Sequence, residues 1–359
     1  MIKVQGYAAL HPKAPLTPFA FERQAVGPHD VFVEILYCGI CHSDIHQVRD
    51  EWGGSSFPMV PGHEIVGIVS QVGKAVTRFK PGDSVGVGCM VDSCRTCQSC
   101  HQGLEQYCEE GFVGTYNSKD RRTGLATQGG YSTNIIVDEA FCLQIPNNLP
   151  LDATAPLLCA GITLYSPLSH WKAGPGKRIA IIGLGGLGHI GIKIAHAMGA
   201  NVTVLSHSAN KEADSRALGA DDFYNTSNSK VFQKLERHFD LIICTVSVPL
   251  NWNAYFNLLK REGTFVLLGI PPDQVPISAA TLILHRRNLA GSLIGGVKET
   301  QEMLDFCGKH NITADIELIP IQQVNEAYER VLKSDVRYRF VIDMASLKKE
   351  GKTTGQNEG

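Results

Sequence analysis

Residues 177–205 restrict the possible folds of this chain more than any other stretch. Lys177-Arg178-Ile179-Ala180-Ile181-Ile182 is a short apolar strand, and Gly183-Leu184-Gly185-Gly186-Leu187-Gly188 follows it at once. His189 to Met198 reads as a helix with Gly199 as its stop, and Asn201-Val202-Thr203-Val204-Leu205 is a second strand. A lone GxGxxG is a weak signal. Placed between a strand and a helix it becomes a dinucleotide-binding fingerprint, because the glycines permit a tight turn and close backbone approach while the helix N-terminus faces a pyrophosphate. An ordinary glycine-rich turn of an α/β sheet is the competing reading, and the strand–turn–helix–strand context argues against it.

The end of the second strand indicates which dinucleotide is bound. An NAD site usually places Asp or Glu there, about 20 residues past the first glycine, on the ribose 2′-hydroxyl. This chain has Ser206-His207-Ser208-Ala209-Asn210-Lys211. A carboxylate would repel a 2′-phosphate, whereas hydroxyls and a lysine bind and neutralise it, so NADP(H) is expected; the alternative for Lys211 is a solvated helix residue. Further strands are expected at 240–246, 263–269 and 288–295, the last either lining the nicotinamide or pairing across a dimer. A helix over 299–309 that returns toward the first domain, a closing strand over 339–343 and a polar tail from Lys348 to Gly359 follow. There are no internal repeats.

The first 157 residues have a different character. Runs rich in β-branched residues at 31–36, 65–69, 84–87 and 135–137, with turns such as Pro81-Gly82-Asp83, predict a partly open β-barrel. With 359 residues the chain exceeds one ordinary core, so two domains are expected. Its formal net charge is −2 and no basic run stands out, which argues against nucleic acid or anionic membrane as a partner. No apolar run reaches membrane-span length and Met1 to Gly6 lacks a signal peptide's core, so a cytoplasmic location is expected.

Eleven cysteines do not suggest a secreted disulfide framework. Cys94, Cys97, Cys100 and Cys108 fall within 15 residues, a spacing able to close a tetrahedron around a structural zinc. The surrounding lobe, about residues 89–112, has little apolar surface, so a metal would supply its folding energy. A redox or reduced thiol cluster is the alternative. Cys38, Cys89, Cys142, Cys244 and Cys307 are expected to behave as small core residues, and neither His42 nor His101 is given a role.

A second metal site is indicated by Cys41-His42-Ser43-Asp44-Ile45-His46 and Pro61-Gly62-His63-Glu64. Thiolate and imidazole are ligands that zinc prefers. The best third ligand is Cys159, in Pro156-Leu157-Leu158-Cys159-Ala160-Gly161. Three protein ligands with one open position is the pattern of a catalytic zinc. Asp44 and His46 are candidates for orienting a ligand or relaying a proton, although His46 alone is also compatible with an ordinary loop histidine and Glu64 with a bond to nearby backbone.

Taken together, these motifs resemble the zinc-dependent medium-chain alcohol dehydrogenases over nearly the whole chain, and within them the cinnamyl alcohol dehydrogenase branch with its bacterial and fungal aldehyde-reductase relatives. Branch-specific matches are Pro156 to Gly161, Gly291-Ser292-Leu293-Ile294-Gly295 and Asp335-Val336-Arg337-Tyr338-Arg339-Phe340-Val341. The resemblance implies an α/β architecture: a GroES-like β-rich catalytic domain (residues 1–157), a Rossmann doubly wound parallel-sheet domain (158–296), and a return to the catalytic domain (297–359). It implies a homodimer, two zinc ions per chain and NADP(H). Cys41, His63 and Cys159 would hold the catalytic zinc, with Glu64 beside it and able to replace water during ligand exchange. Asp44 would fix His63, Ser43 would pass the substrate proton toward the ribose, and His46 would pass it on to solvent. Thr163, Thr245, Gly269, Ser292, Leu293 and Ile294 would line the cofactor, with the loop Gly183–Gly188 on the pyrophosphate.

One departure bears on substrate. The plant lignin enzymes carry a tryptophan shortly before the pair corresponding to Tyr116-Asn117, whereas this chain has Phe112-Val113-Gly114-Thr115 there and Trp52 in the loop between the ligand motifs. Trp52 is therefore the candidate substrate-pocket residue. A broad reductase of aromatic, cinnamyl and aliphatic aldehydes is expected, with a polyol dehydrogenase or a non-catalytic NADPH-binding protein as the alternatives.

Overall fold

The strand Asp30–Gly39 organises the first half of the molecule. Eight of its ten residues are apolar or glycine at buried or half-buried positions, the pattern of a strand covered on both faces. It pairs antiparallel with Ile65–Val72 on one side. On its other side Asn134–Asp138 takes residues 30–34 and Arg339–Asp343 takes residues 37–39. Ser84–Val87 and Leu143–Gln144 extend the sheet past Ile65–Val72, and Ile316–Pro320 joins Arg339–Asp343 in parallel, making seven strands. The C-terminal segment thus completes a sheet begun near the N-terminus.

The structure is a computed structural model that describes residues 1–347; the tail expected from Lys348 onward lies outside the described residues. The chain divides into two compact units, one of Met1–Cys159 with the segment from Gly295 onward, the other of Ala160–Ile294. The divisions fall at 159/160 and 294/295, where the sequence suggested 157/158 and 296/297.

The second unit is a six-stranded sheet in the order Asp222–Asn225, Asn201–Ser206, Arg178–Ile182, Phe239–Cys244, Leu259–Leu267, Asn288–Gly291, with every pairing parallel. The order reverses between Arg178–Ile182 and Phe239–Cys244, and in such sheets ligands bind at this switch point, outside the carboxyl ends of the strands. The core beneath it packs Phe239, Ile242, Phe256 and Phe265, with the rings of Phe256 and Phe265 stacked at 4.6 Å. The expected strand at 288–295 stops at Gly291, because its neighbour ends at Leu267, the partner of Gly291. The chain then turns out of strand geometry, with Ile294 at φ 34°. The expected strand at 263–269 is shifted, running Leu259–Leu267.

The helix expected at 299–309 runs Val297–His310. The Glu105 carboxylate, within the tetracysteine lobe, accepts a 3.0 Å hydrogen bond from Val297 N at the start of that helix. Among the described residues no helix is long and apolar enough to cross a membrane.

Candidate active site

Strand pairing brings the two metal motifs together. Cys38 pairs with Ile65, so the end of Asp30–Gly39 and the start of Ile65–Val72 lie side by side, and Cys41 and His63 follow and precede them by a few residues. Gly39 N donates to Glu64 O (3.0 Å) and Ile40 N to Phe340 O (2.9 Å), which fixes both approaches. Cys41 opens the short helix His42–Val48, and Cys159 follows the 3₁₀ turn Ala155–Leu158. Gly62 has φ +103°, and a Cβ there would come within 2.6 Å of the Tyr131 ring and 2.8 Å of Cys38 Sγ, so only glycine lets the loop pass this close.

Cys41, His63, Glu64 and Cys159 are all buried, and their ligand atoms lie within 4.8 Å of one another. The Cys41 and Cys159 sulfurs are 4.0 Å apart, near the roughly 3.8 Å edge of a tetrahedron built on Zn–S bonds of about 2.3 Å. His63 directs Nδ1 at Asp44 Oδ1 (3.0 Å), which leaves Nε2 for a metal. Two thiols and an imidazole so arranged suit zinc. The two thiols act on each other: Cys41 is pushed well below an ordinary thiol by its bond from Cys159, with His63 and Arg339 adding to this against burial, and Cys159 is pushed correspondingly up. Burial opposes charge on His63, but Asp44 and the neighbouring thiols outweigh it and raise its pKa well above the ordinary value. Metal binding displaces these protons.

Glu64 is held away from free rotation. Both its oxygens accept from Arg339 Nη2, at 2.6 and 2.8 Å, and the same nitrogen donates to Ile40 O at 2.7 Å. Burial pushes the Glu64 carboxyl up to about 7, with Arg339 opposing. Burial likewise works against the charge on Arg339, and Glu64 and Cys41 overcome it, keeping the guanidinium firmly protonated. Arg339 lay in a matched motif, but no sequence signal tied it to Glu64.

On the helix His42–Val48, Ser43 Oγ lies 3.6 Å from Cys41 Sγ, and His46, one turn on, directs Nδ1 at Glu51 Oε2 at 2.5 Å. The His46 ring stacks on Trp52 at 4.9 Å, and Trp52 is 48% exposed. Glu51 is a polar partner for His46 that the sequence did not single out. Cys38, Cys142, Cys244 and Cys307 are buried as expected, but Cys89 corrects that expectation: it is only partly buried, its thiol 3.8 Å from Leu158 O and bearing on Cys159. The strand it follows ends at Val87, so Cys89 sits in the turn that approaches Cys159 rather than in the sheet.

The tetracysteine lobe forms a second centre. Cys94, Cys97, Cys100 and Cys108 place their sulfurs within 4.8 Å of one another, with Cys94 and Cys100 3.8 Å apart. Backbone N–H groups of Cys94, Cys97 and Glu109 point at Cys108, Cys94 and Cys97 sulfurs at 3.3–3.5 Å. Backbone bonds from Thr96 and Cys97 bring the Cys94 thiol down to about 6. Burial pushes the Cys100 thiol the other way, up to about 12, and a bound metal would displace that proton. Four sulfurs so grouped can close a tetrahedron with no open position, which suits a structural zinc.

In the second unit the loop Gly183–Gly188 follows Ile182 at the switch point. A Cβ on Gly188 would lie 2.0 Å from Gly183 O, so glycine is required for the turn to close. Thr245, at the end of the neighbouring strand, donates to Ile182 O at 2.8 Å. Lys211 reaches back to Leu184 O at 2.8 Å, so its ammonium lies at the loop rather than out in solvent. Ser208 N bonds Ser206 Oγ at 3.2 Å, Ser206 is buried and His207 exposed. Thr163 is buried on the helix Ala160–His170, while Gly269, Ser292, Leu293 and Ile294 follow the ends of the last two strands.

Residues 27–147 match the alcohol dehydrogenase GroES-like domain, and residues 186–309 match the zinc-binding dehydrogenase family. The two together define the zinc-dependent alcohol dehydrogenases. The chain is 58% identical to NADP-dependent alcohol dehydrogenase C 1 of Mycolicibacterium smegmatis, over 97% of this chain and 100% of that protein. It is 52% identical to the aldehyde reductase YahK of Escherichia coli, over 96% of this chain and 99% of that one. A cinnamyl alcohol dehydrogenase of Sorghum bicolor superposes with a TM-score of 0.93 at 44% identity, covering 96% of this chain and 98% of that one. The chain therefore belongs to the cinnamyl alcohol dehydrogenase branch of the zinc-dependent medium-chain alcohol dehydrogenases. It is an enzyme.

Proposed function

We propose that this protein is an NADP(H)-dependent aldehyde reductase, interconverting aromatic, cinnamyl and aliphatic aldehydes with primary alcohols. The observation that carries the reading is the buried Cys41, His63 and Cys159 set, with His63 held by Asp44. In this reading those three residues hold the catalytic zinc, and Cys94, Cys97, Cys100 and Cys108 hold the structural one. When bound, zinc supplies Lewis acidity at the carbonyl oxygen and the nicotinamide supplies the hydride. Asp44 keeps the His63 proton on Nδ1, so that Nε2 is the metal ligand. Ser43 takes the alcohol proton and His46 hands it onward, with Glu51 holding the His46 ring by Nδ1. Arg339 restrains Glu64 beside the metal.

The loop Gly183–Gly188 takes the pyrophosphate at the N-terminus of the helix Gly188–Ala197. Ser206, His207, Ser208 and Lys211 take the 2′-phosphate, since no carboxylate stands at that strand end. Thr163, Thr245, Gly269, Ser292, Leu293 and Ile294 line the rest of the cofactor, and Trp52 shapes the substrate side. The first unit is accordingly the catalytic domain and the second the cofactor domain. The protein works in the cytoplasm as a homodimer, joined along the open sheet edge at Asn288–Gly291.

Initial rates of aldehyde reduction with NADPH and NADH side by side, across benzaldehyde, cinnamaldehyde and aliphatic aldehydes, test the reading on a sample of measured zinc content. NADPH-dependent turnover with about two zinc ions per chain is expected. A preference for NADH would remove Ser206 to Lys211 from the phosphate site. Oxidation of sugar alcohols outrunning all aldehydes would make the protein a polyol dehydrogenase.

A further inference from the structure

Asp44 is wholly buried and accepts four hydrogen bonds. Its Oδ1 accepts from Gly62 N at 3.1 Å and His63 Nδ1 at 3.0 Å, and its Oδ2 accepts from Cys41 N at 2.9 Å and the Tyr131 hydroxyl at 3.2 Å. An ionised carboxylate has about four lone-pair positions, so each is used. Three of the donors are inherent in the metal motifs themselves: two backbone groups and the ligand. The fourth comes from a residue well outside them, Tyr131.

Tyr131 is held for this contact. It has no exposed surface, its N donates to Pro61 O at 3.0 Å, and its O accepts from Tyr7 N at 2.9 Å. Gly129 N and Gly130 N donate to Val60 O and Gly62 O at 2.7 and 2.9 Å, so residues 129–131 run against the segment leading into His63. Arg23 anchors the same loop through the carbonyls of Gln128, Gly129 and Asn134 and the Ser132 hydroxyl. Burial, and then the Asp44 charge, hold the Tyr131 phenol protonated and thus a donor. Two further phenols stand near. Tyr116 lies beside the His63 ring at 5.8 Å and its phenol also faces the Asp44 carboxylate, and the Tyr328 hydroxyl is 3.5 Å from that of Tyr131, long for a hydroxyl pair.

We propose that Tyr131 is a positioning residue for the catalytic metal: its hydroxyl pins the Oδ2 side of Asp44, and through Asp44 it fixes the His63 imidazole at the metal. This rests on the reading of Cys41, His63 and Cys159 as metal ligands. Tyr131→Phe keeps the ring and removes only the donor.

The full-length protein, loaded with zinc or with cobalt(II) exchanged into the catalytic site, is compared as wild type, Tyr131→Phe and Tyr328→Phe. Tyr131→Phe is expected to lose the catalytic metal to a chelator about 10-fold or more faster, the worth of one hydrogen bond to a charged acceptor. Its cobalt visible bands are expected to shift, reporting a changed ligand field. Tyr328→Phe, which removes a buried hydroxyl that does not touch Asp44, is expected to match wild type in both. Unchanged metal loss and unchanged bands in Tyr131→Phe overturn the proposal, as does a Tyr328→Phe that moves both equally far. A wild-type protein that takes up no cobalt at this site overturns the metal reading and the proposal together. Should Tyr131→Phe not fold, 3-fluorotyrosine at 131 keeps the ring and strengthens the donor; slower metal loss is then expected, and an unchanged rate overturns the proposal.

Discussion

At the scale of single residues, Asp44 carries more of the site than any ligand does. It ties the Cys41 loop, the Gly62 loop and His63 to one buried carboxylate. An asparagine there keeps one acceptor oxygen and turns an NH₂ group toward donors, leaving buried groups unmatched. Asp44→Asn is expected to weaken catalytic zinc binding about 10–100-fold while the tetracysteine zinc stays. Metal analysis after dialysis against a chelator should then fall from about two zinc ions per chain to about one; two retained ions would show that His63 does not depend on Asp44. The grouping of Cys41, His63, Glu64 and Cys159, with Asp44 on His63, was legible in the sequence because these residues lie within short motifs whose residue types suit zinc. Arg339 was not legible as a partner of Glu64, since 275 residues separate them and only the sheet pairing of Arg339–Asp343 with Asp30–Gly39 joins them. Glu51 was missed for another reason: a carboxylate on an exposed loop gives no signal until its histidine is seen beside it.

At the scale of elements, the strands that the sequence located best are those buried on both faces, where runs of β-branched residues are unbroken. Edges were read less well, because the length of an edge strand is set by its one neighbour, as at Gly291 opposite Leu267. Nor does the sequence show what holds the amino ends of the central parallel strands in register. In the structure Asp240 does so: its Oδ2 accepts from Arg178 N and from Lys260 Nζ, both at 2.8 Å, joining three adjacent strands. Burial alone would raise the Asp240 pKa, but the bonds from Lys260 and Arg178 prevail and lower it. A carboxylate depressed in the folded state contributes stability above its unfolded pKa of about 3.9 and loses it as pH falls through the folded value. Asp240→Asn is expected to cost about 1 kcal/mol at neutral pH, read as a lower apparent Tm. The gap between the two proteins should close as pH falls below about 4; because acid affects the zinc sites of both alike, the difference isolates Asp240. A gap independent of pH would assign the effect to packing.

At the scale of the whole molecule, the discontinuous first unit could not be read from periodicity, which registers strands but not which sheet they join. The return of Ile316–Pro320 and Arg339–Asp343 to the N-terminal sheet followed only from the family resemblance. The homodimer proposed above rests on the second unit's sheet. Among the described residues its strand Asn288–Gly291 has a neighbour on one side only, and an open edge with apolar flanks pairs readily with another chain. Leu289 (41% exposed), Leu293 (47%), Ile283 (75%) and Leu284 (74%) lie on or near this edge in sequence. In the proposed dimer a second copy covers these residues, and a stable interface needs about 800 Å² from each partner. Sedimentation or light scattering should therefore report twice the chain mass of 39.0 kDa for the wild type. Ile283→Glu combined with Leu284→Glu would bury two charges in that interface, and the doubly substituted protein is expected to run as a single chain with both zinc ions in place. A wild type that sediments as one chain would remove the dimer, and a double variant that still dimerises would move the interface away from this edge.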